Sequence, residues 1–347
     1  MENFKTNYET IDLDLVGFRK LLNSPANTGK IFSFTFKEPL TTTLKINDLE
    51  EQIFFPPLKF YLFDLDCILD LSNSVLFDLN GMPYKETIYG IPEKEYKPRL
   101  DAKKVSAPGC VSPLSGKWTA YYHFLMEANA SLLLNRQLFP EIDLTYITSR
   151  RKKRNSFEFN NTLLKNELIV EQNFVKVNKM LINSLLYTHG NSLKGVSDLQ
   201  FYLGNSKILK RDKYIFSTRG NESHSRISNL AELEDYFSNL GFEMVNFNNY
   251  NLNRQIDLVK RAKIIAGPHG ANLANAIFAS SGTTLLEIVP TYLEDGRTGD
   301  RAYQKISILA DLKYYNFECP NNLNDKFATI NLTELDNFIK KHKIHPS

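Results

Sequence analysis

From Lys213 onward, short apolar runs of strand length alternate with stretches of helical period. YIFST (214–218) predicts a strand, and NLAELEDYFSNLG predicts a helix stopped by Gly241. FEMVNF, KIIAG and TTLLEIVP read as further strands, with LNRQIDLVKRA and ANLANAIFA as the helices between them. Such alternation predicts βαβ units, a parallel sheet and helices on both of its faces.

The first half is less regular. Residues 1–30 are polar and mixed, with a helix expected around Leu13 to Leu22. From Ile31 to about Tyr89 the pattern is strand-like. IFSFTF alternates, KFYLFDLDCILDL is apolar and aromatic, and SVLFDLNGMPYKETI reads as a hairpin turning at Asn80-Gly81. Residues 90–115 carry prolines and charges and read as a linker. WTAYYHFLMEANASLLLNRQLF predicts a helix ended by Pro140, with Tyr122, Leu125, Met126, Asn129, Leu132 and Leu133 on one stripe. LTYIT (144–148) reads as a buried strand and SRRKKRN (149–155) as a charged loop. A domain break is expected near Leu203 to Leu209.

Composition narrows the class. A chain of 347 residues suits two domains of ordinary size, and 42% hydrophobic with 23% charged residues is a globular balance. A net charge of +3 gives no basic bias of the kind a nucleic-acid binder shows, so no nucleic acid is expected as a partner. Cys67, Cys110 and Cys319 lie far apart without metal-site spacing. The acidic N-terminus has no signal-length apolar run, and no stretch of 18 apolar residues occurs, so the expected location is cytoplasmic. The basic run 149–155 fits a solvated loop, or attraction to an anionic acceptor or to lipid head groups, which would add a peripheral membrane contact.

In an open parallel sheet, ligands sit beyond the carboxyl ends of the strands. That rule selects the loop after YIFST with Arg219, Glu222, His224 and Arg226, the turn Gly267-Pro268-His269-Gly270, and Glu287 at the end of TTLLEIVP. Gly267 and Gly270 can take positive φ and let backbone approach a ligand, and the following helix can direct N–H groups at an anion. The same glycine pair also suits a plain tight turn. Arg219 and Arg226 supply the charge a diphosphate needs, and Glu287 fits either ribose hydroxyls or a cap on a neighbouring amide. No GxGxxG opens the first βαβ unit, which argues against a dehydrogenase or epimerase. Asp64-Leu65-Asp66 has the spacing of a metal-binding carboxylate pair but stands outside the βαβ pattern, so it reads as sheet-edge or turn carboxylates.

Taken together, YIFSTRGNESHSRISNL, LGFEMVNF, QIDLVKRAKIIAGPHGANLANAIF, TTLLEIVP and AYQKISILADLKYY resemble glycosyltransferase family 61 in order and spacing. TAYYHFLMEANASLL also resembles a family helix. Tyr121, Tyr122, His123, Leu125 and Glu127 fit it, while Ala120, Phe124, Ala130 and Ser131 replace the usual Asn, Trp, Pro and Arg. Asn272 stands where the family usually has a second glycine.

The resemblance implies an α/β GT-B fold of two facing Rossmann-like domains, at 96–205 for the acceptor and 206–347 for the donor, after a β-rich preface at 1–95. It implies an inverting enzyme that moves a sugar from a nucleotide-sugar donor, most often UDP-linked, to a glycan acceptor. No cofactor is expected, and no divalent metal either, because the nucleotide-binding half has no DxD carboxylate pair while Arg219 and Arg226 supply positive charge. It places Arg219, Arg226 and Asn229 in a donor-phosphate loop, and His269, Gly270 and Asn275 at the turn beside the diphosphate, where Gly267 and Asn272, the latter a departure from the family pattern, are further donor-side candidates. It places Glu287 at the ribose, with His123 and Glu127 on the acceptor side. His123 is a candidate base, since an imidazole suits proton removal at neutral pH, and Glu127, four residues on, could orient its ring. The alternative is a binding protein of the same fold that has lost the base.

Overall fold

The computed structural model describes residues 9–24, 28–36, 41–55, 57–72, 74–87, 103–104, 109–114, 121–149, 167–171, 174–186, 210–218, 227–291, 302–320 and 327–346. The chain divides into two compact units, Met1–Leu40 with Phe55–Asp198, and Thr41–Phe54 with Leu199–Ser347.

The first unit is built on a seven-stranded sheet. Its order is β1 (Thr10–Asp12), β2 (Lys30–Phe36), β5 (Leu58–Asp64), β13 (Met180–Asn183), β9 (Cys110–Pro113), β10 (Leu144–Ser149) and β11 (Glu167–Val170). Strands β13, β9, β10 and β11 run parallel, while β5 is antiparallel to both β2 and β13. Two sequence expectations change here. Strands β2 and β5, read as part of a preface at 1–95, share one sheet with β9 and β10. Residues 110–113, read as linker, are a buried strand of that sheet. The reason is apolar surface: Leu58, Phe60, Leu62 and Phe63 of β5 are buried, and a strand covered on both faces needs hydrogen-bonded neighbours on both edges.

A smaller sheet orders β7 (Val75–Phe77), β6 (Cys67–Asp70), β12 (Phe174–Val177) and β8 (Lys103–Lys104). The expected turn at Asn80-Gly81 forms. The Asp78 carboxylate accepts from the Asn80 and Met82 amides at 2.9 and 2.8 Å, Gly81 sits at φ 86, and Phe77 bridges antiparallel to Pro83.

Helix α1 (Leu15–Asn23) starts at Asp14, whose side chain accepts from the Gly17 amide at 2.7 Å. It ends on Lys179, whose buried ammonium donates to the carbonyls of Leu21 (2.7 Å) and Ser24. Asp64 faces the same ammonium at 3.8 Å and accepts from the Thr28 amide at 2.9 Å. Its carboxylate is thus committed inside the unit, in line with a turn role, whereas Asp66 is exposed.

The second unit carries the predicted βαβ alternation. Strands β14 (Lys213–Ser217), β15 (Glu243–Val245), β16 (Ala262–Pro268), β17 (Thr284–Thr291) and β18 (Lys313–Pro320) lie in the order β15-β14-β16-β17-β18, all parallel. Between them run α4 (Leu230–Asn239), α5 (Leu252–Lys260), a 3₁₀ helix (Ala271–Phe278) and α6 (Ala302–Leu309), with α7 (Leu332–His342) after β18. Gly241 terminates α4 as expected, at φ 89, with the Phe242 amide reaching back to the Phe237 carbonyl at 3.0 Å. Phe237 then stacks on Phe216 of β14 with ring centroids 4.5 Å apart.

This sheet also takes two strands from far upstream. Strand β3 (Thr41–Ile46) lies parallel to β18, and β4 (Leu49–Phe54) closes the edge as its antiparallel hairpin partner. The hairpin turns at Asn47 and Asp48, at φ 50 and φ 69, the left-handed pair a two-residue turn requires. Among the described residues, no helix is long and apolar enough to cross a membrane.

Candidate functional site

In the second unit the chain runs from β14 outward to β15, then returns across β14 to β16. The strand order therefore reverses between β14 and β16. In open α/β sheets a ligand crevice opens at this reversal, at the carboxyl ends of the two strands. The residues there are Ser217, which ends β14, and Thr218 after it, and Pro268, which ends β16, with His269 and Gly270 after it.

Gly267 is a glycine because of β14. A Cβ at this position would stand 3.0 Å from the Ser217 carbonyl oxygen, 3.1 Å from the Ser217 Cβ and 3.3 Å from Leu273. Positive φ, the reason expected from sequence, is not what Gly267 supplies, since it lies within β16. Gly270 is close to fully extended, at φ 157 and ψ 167. The helix after it is 3₁₀ in form and almost wholly buried from Leu273 to Phe278.

His269 is the best supported side chain at this point. Its amide donates to the Ile288 carbonyl of β17 at 2.8 Å. Its Nδ1 pairs with Oε1 of Glu287, and its ring meets Tyr303 of α6 edge-on at 5.4 Å between centroids. The Tyr303 hydroxyl donates to the Gly270 carbonyl, so one tyrosine steadies both residues of the turn. Glu287 is 4% exposed, and its second oxygen accepts from the Tyr314 hydroxyl of β18. Burial, followed by the Glu287 charge and hydrogen bond, raises the Tyr314 phenol well above its ordinary range and keeps it a proton donor. Both carboxylate oxygens of Glu287, the residue expected at the ribose, have protein partners, and one of them faces the histidine. With Nδ1 donating to a carboxylate, Nε2 is the ring atom through which His269 accepts a proton or, when charged, donates to an anion.

Asn272 donates to the Thr218 carbonyl at 3.3 Å and so ties the turn to the end of β14. Asn275 is buried and donates back to the Asn272 carbonyl at 3.3 Å, inside the short helix. Asn229 clamps the backbone of Ile330, accepting from its amide at 2.9 Å and donating to its carbonyl at 3.0 Å. Asn229, Asn272 and Asn275, all expected on the donor side, each have backbone partners within the protein. Arg219, Glu222, His224 and Arg226 lie outside the described residues, as does 150–155 of the basic run.

In the first unit, α2 (Tyr121–His123) continues into a π-helical segment (Phe124–Asn129) and then α3 (Ala130–Leu138). The expected stripe is buried, and so are Phe124, Glu127, Ala128, Ala130, Ser131 and Asn135 around it. The Asn129 amide donates to the Phe124 carbonyl at 3.0 Å within the widened turn. Ser131, at the position where the resemblance suggests arginine, accepts from Asn183 of β13 at 2.7 Å. The expected pair forms: His123 Nδ1 lies 2.9 Å from Glu127 Oε1, and the Tyr122 ring stands edge-on to the imidazole at 5.2 Å. Widened turns of this kind recur at functional sites. Among the described residues, no cluster of three or more His, Cys, Asp or Glu is placed to hold a metal ion.

Sequence reading missed Tyr303 and Tyr314. The signal available was weak: one tyrosine near the start of α6, and one of two in LKYY.

The carboxyl ends of a doubly wound sheet at its switch point are where α/β folds hold ligands, and the sequence comparison adds a likeness to glycosyltransferases. Residues 121–286, just under half of the chain, match the family model described as Glycosyltransferase 61, and over this stretch the chain is similar to that family. No curated protein matches the sequence. The matched stretch begins at the first residue of α2 and ends one residue before Glu287, so it contains both histidines.

Proposed function

We propose that the protein transfers a sugar, with inversion, from a nucleoside diphosphate donor of the UDP type to a hydroxyl of a glycan, in the synthesis of a polysaccharide or glycoprotein glycan. The observation that carries this reading is His269 at the carboxyl end of β16, braced by Glu287 beside the strand-order reversal. The hydroxyl oxygen attacks the anomeric carbon as the bond to the diphosphate breaks. His123 takes the hydroxyl proton, with Glu127 holding its ring. His269, joined by Arg219 and Arg226, receives the charge that develops on the departing diphosphate, so no divalent metal is required. The GT-B pairing of two Rossmann-like domains implied by the resemblance is part of this proposal. So are a cytoplasmic location and a peripheral contact of 149–155 with anionic lipid.

The test is a melting screen against nucleoside diphosphates and nucleotide sugars, followed by transfer assays with the stabilising donor. A ligand at a hundred times its dissociation constant stabilises by about 2.7 kcal/mol. The expected result is stabilisation by one nucleoside diphosphate and transfer that persists in EDTA. No stabilisation across the panel overturns the donor reading. Activity that vanishes in EDTA and returns with manganese overturns metal independence. Binding without any sugar transfer or donor hydrolysis identifies a binding protein instead.

A further inference from the structure

We infer that Tyr314 is a positioning residue: through Glu287 it fixes the ring of His269 for the donor diphosphate, which rests on the reading of His269 given above. Strands β17 and β18 are paired parallel, with Leu285 opposite Tyr314 and Glu287 opposite Asn316. Tyr314 thus stands diagonally behind Glu287 and reaches forward to it. Its hydroxyl meets the carboxylate oxygen that does not face the histidine, while Oε1 meets Nδ1. The carboxylate is bonded on both sides in a buried place, as a buried acceptor must be.

A buried tyrosine hydroxyl needs a hydrogen-bond partner, and which partner it takes is what distinguishes its role. This one is 3% exposed and directs its single polar atom at the group that orients His269. The rest of the cage agrees. The Ile288 carbonyl fixes the backbone of His269, Tyr303 packs against its ring, and Glu287 sets its tautomer. Rotation of the imidazole is opposed at each step, and the last member of the series is the Tyr314 hydroxyl. Both tyrosines and Glu287 follow residue 286, where the family match ends. The hairpin β3–β4 grips β18 at this point: Ile46 is registered with Tyr314, and the Asn47 side chain accepts from the Asn316 amide at 3.0 Å.

The test is UDP affinity by calorimetry for wild type, Tyr314→Phe, His269→Ala and the double variant, with nitrogen NMR of the His269 ring. If Tyr314 acts through His269, Tyr314→Phe weakens UDP binding about 3- to 10-fold alone and less than about twofold in the His269→Ala background, the non-additivity of residues that share one network. The NMR spectrum shows the Nδ1-protonated ring in wild type and a mixed or mobile ring in Tyr314→Phe. Glu287→Gln, which breaks the same support one step nearer the ring, shows the same dependence on His269 and serves if Tyr314→Phe melts early. Equal losses with and without His269, or unchanged affinity and ring spectrum, overturn the inference. Wild type that binds no nucleoside diphosphate overturns the donor reading, and the ring spectra then decide whether the support itself exists.

Discussion

Each unit contains a histidine whose Nδ1 meets a glutamate, and the two pairs are made by opposite means. His123 and Glu127 are one turn apart on a single helix, 2.9 Å between their atoms. His269 and Glu287 are 18 residues apart and meet because β16 and β17 are registered side by side. The burial is similar: the histidine side chains are 17% and 21% exposed, and their glutamates 3% and 5%. The dependence on the rest of the fold differs. Both members of the first pair come from one continuous helical stretch. The second needs two strand ends, the backbone of Ile288, the ring of Tyr303 and the hydroxyl of Tyr314. A local pair tolerates distant change, whereas a pair built from tertiary register inherits every disturbance of the sheet.

The largest expected effect separates the two by role. His123→Ala should leave the melting temperature and UDP affinity near wild type and lower transfer by about 100-fold or more, the contribution of a positioned base. A variant that melts early shows that His123 serves packing. One that folds and transfers within a few-fold of wild type shows that the base lies elsewhere.

The same contrast decides what could be read from the chain. Helices and strands after Lys213 were legible because their periods are local, as was the stop at Gly241. The spacing of His123 and Glu127 on a helix made their contact legible before any coordinates. Glu287 was placed on the right strand, but its protein partners were not legible, because nothing in TTLLEIVP reports that Tyr314 and His269 flank it. Gly267 was singled out for its φ, while the cause is the closeness of Ser217 on a neighbouring strand. The hairpin at 41–54 looks like its β-rich surroundings in sequence and joins the other unit's sheet through contacts about 270 residues away. Register and strand partnership are tertiary facts, and single-sequence patterns carry them poorly.

Gly267→Ala tests the fragility of the non-local pair at intermediate size. The added methyl meets backbone at 3.0 Å on one side and Leu273 at 3.3 Å on the other, so β14 and β16 must part at their ends. Overpacking of this kind costs about 1–3 kcal/mol. Melting should fall by about 2–4 °C for each kcal/mol in a unit of this size. UDP affinity should fall with it, since His269 is two residues on, while the His123–Glu127 pair stays intact by NMR. Full UDP affinity in a variant of lowered stability would show that the crevice does not lie at this strand end.

Asp48→Asn gives the smallest effect and reaches the non-local pair from furthest away. Asp48 closes the hairpin against β18 and α7, accepting from the Tyr315 hydroxyl at 3.1 Å and pairing with His342 Nδ1 at 2.8 Å. Asparagine tolerates the left-handed backbone at this position at least as well as aspartate, so the substitution removes charge and leaves the turn. The His342 hydrogen bond, opposed by burial and aided by Tyr315 and the charges of His342 and Lys341, holds the Asp48 carboxyl below its ordinary range. A lowered carboxylate contributes stability that is present above its unfolded value, about 3.9, and disappears as the pH falls through the lowered folded value. Wild type should therefore melt slightly above Asp48→Asn at neutral pH, with a gap that narrows in salt and closes in acid. UDP affinity should change little at neutral pH, because Asn47 still holds Asn316. A gap that persists unchanged as the pH drops below the carboxylate range would mean that the Asp48 charge does not fasten the hairpin. The support of β18 behind Tyr314 would then rest on the backbone pairing and Asn47 alone.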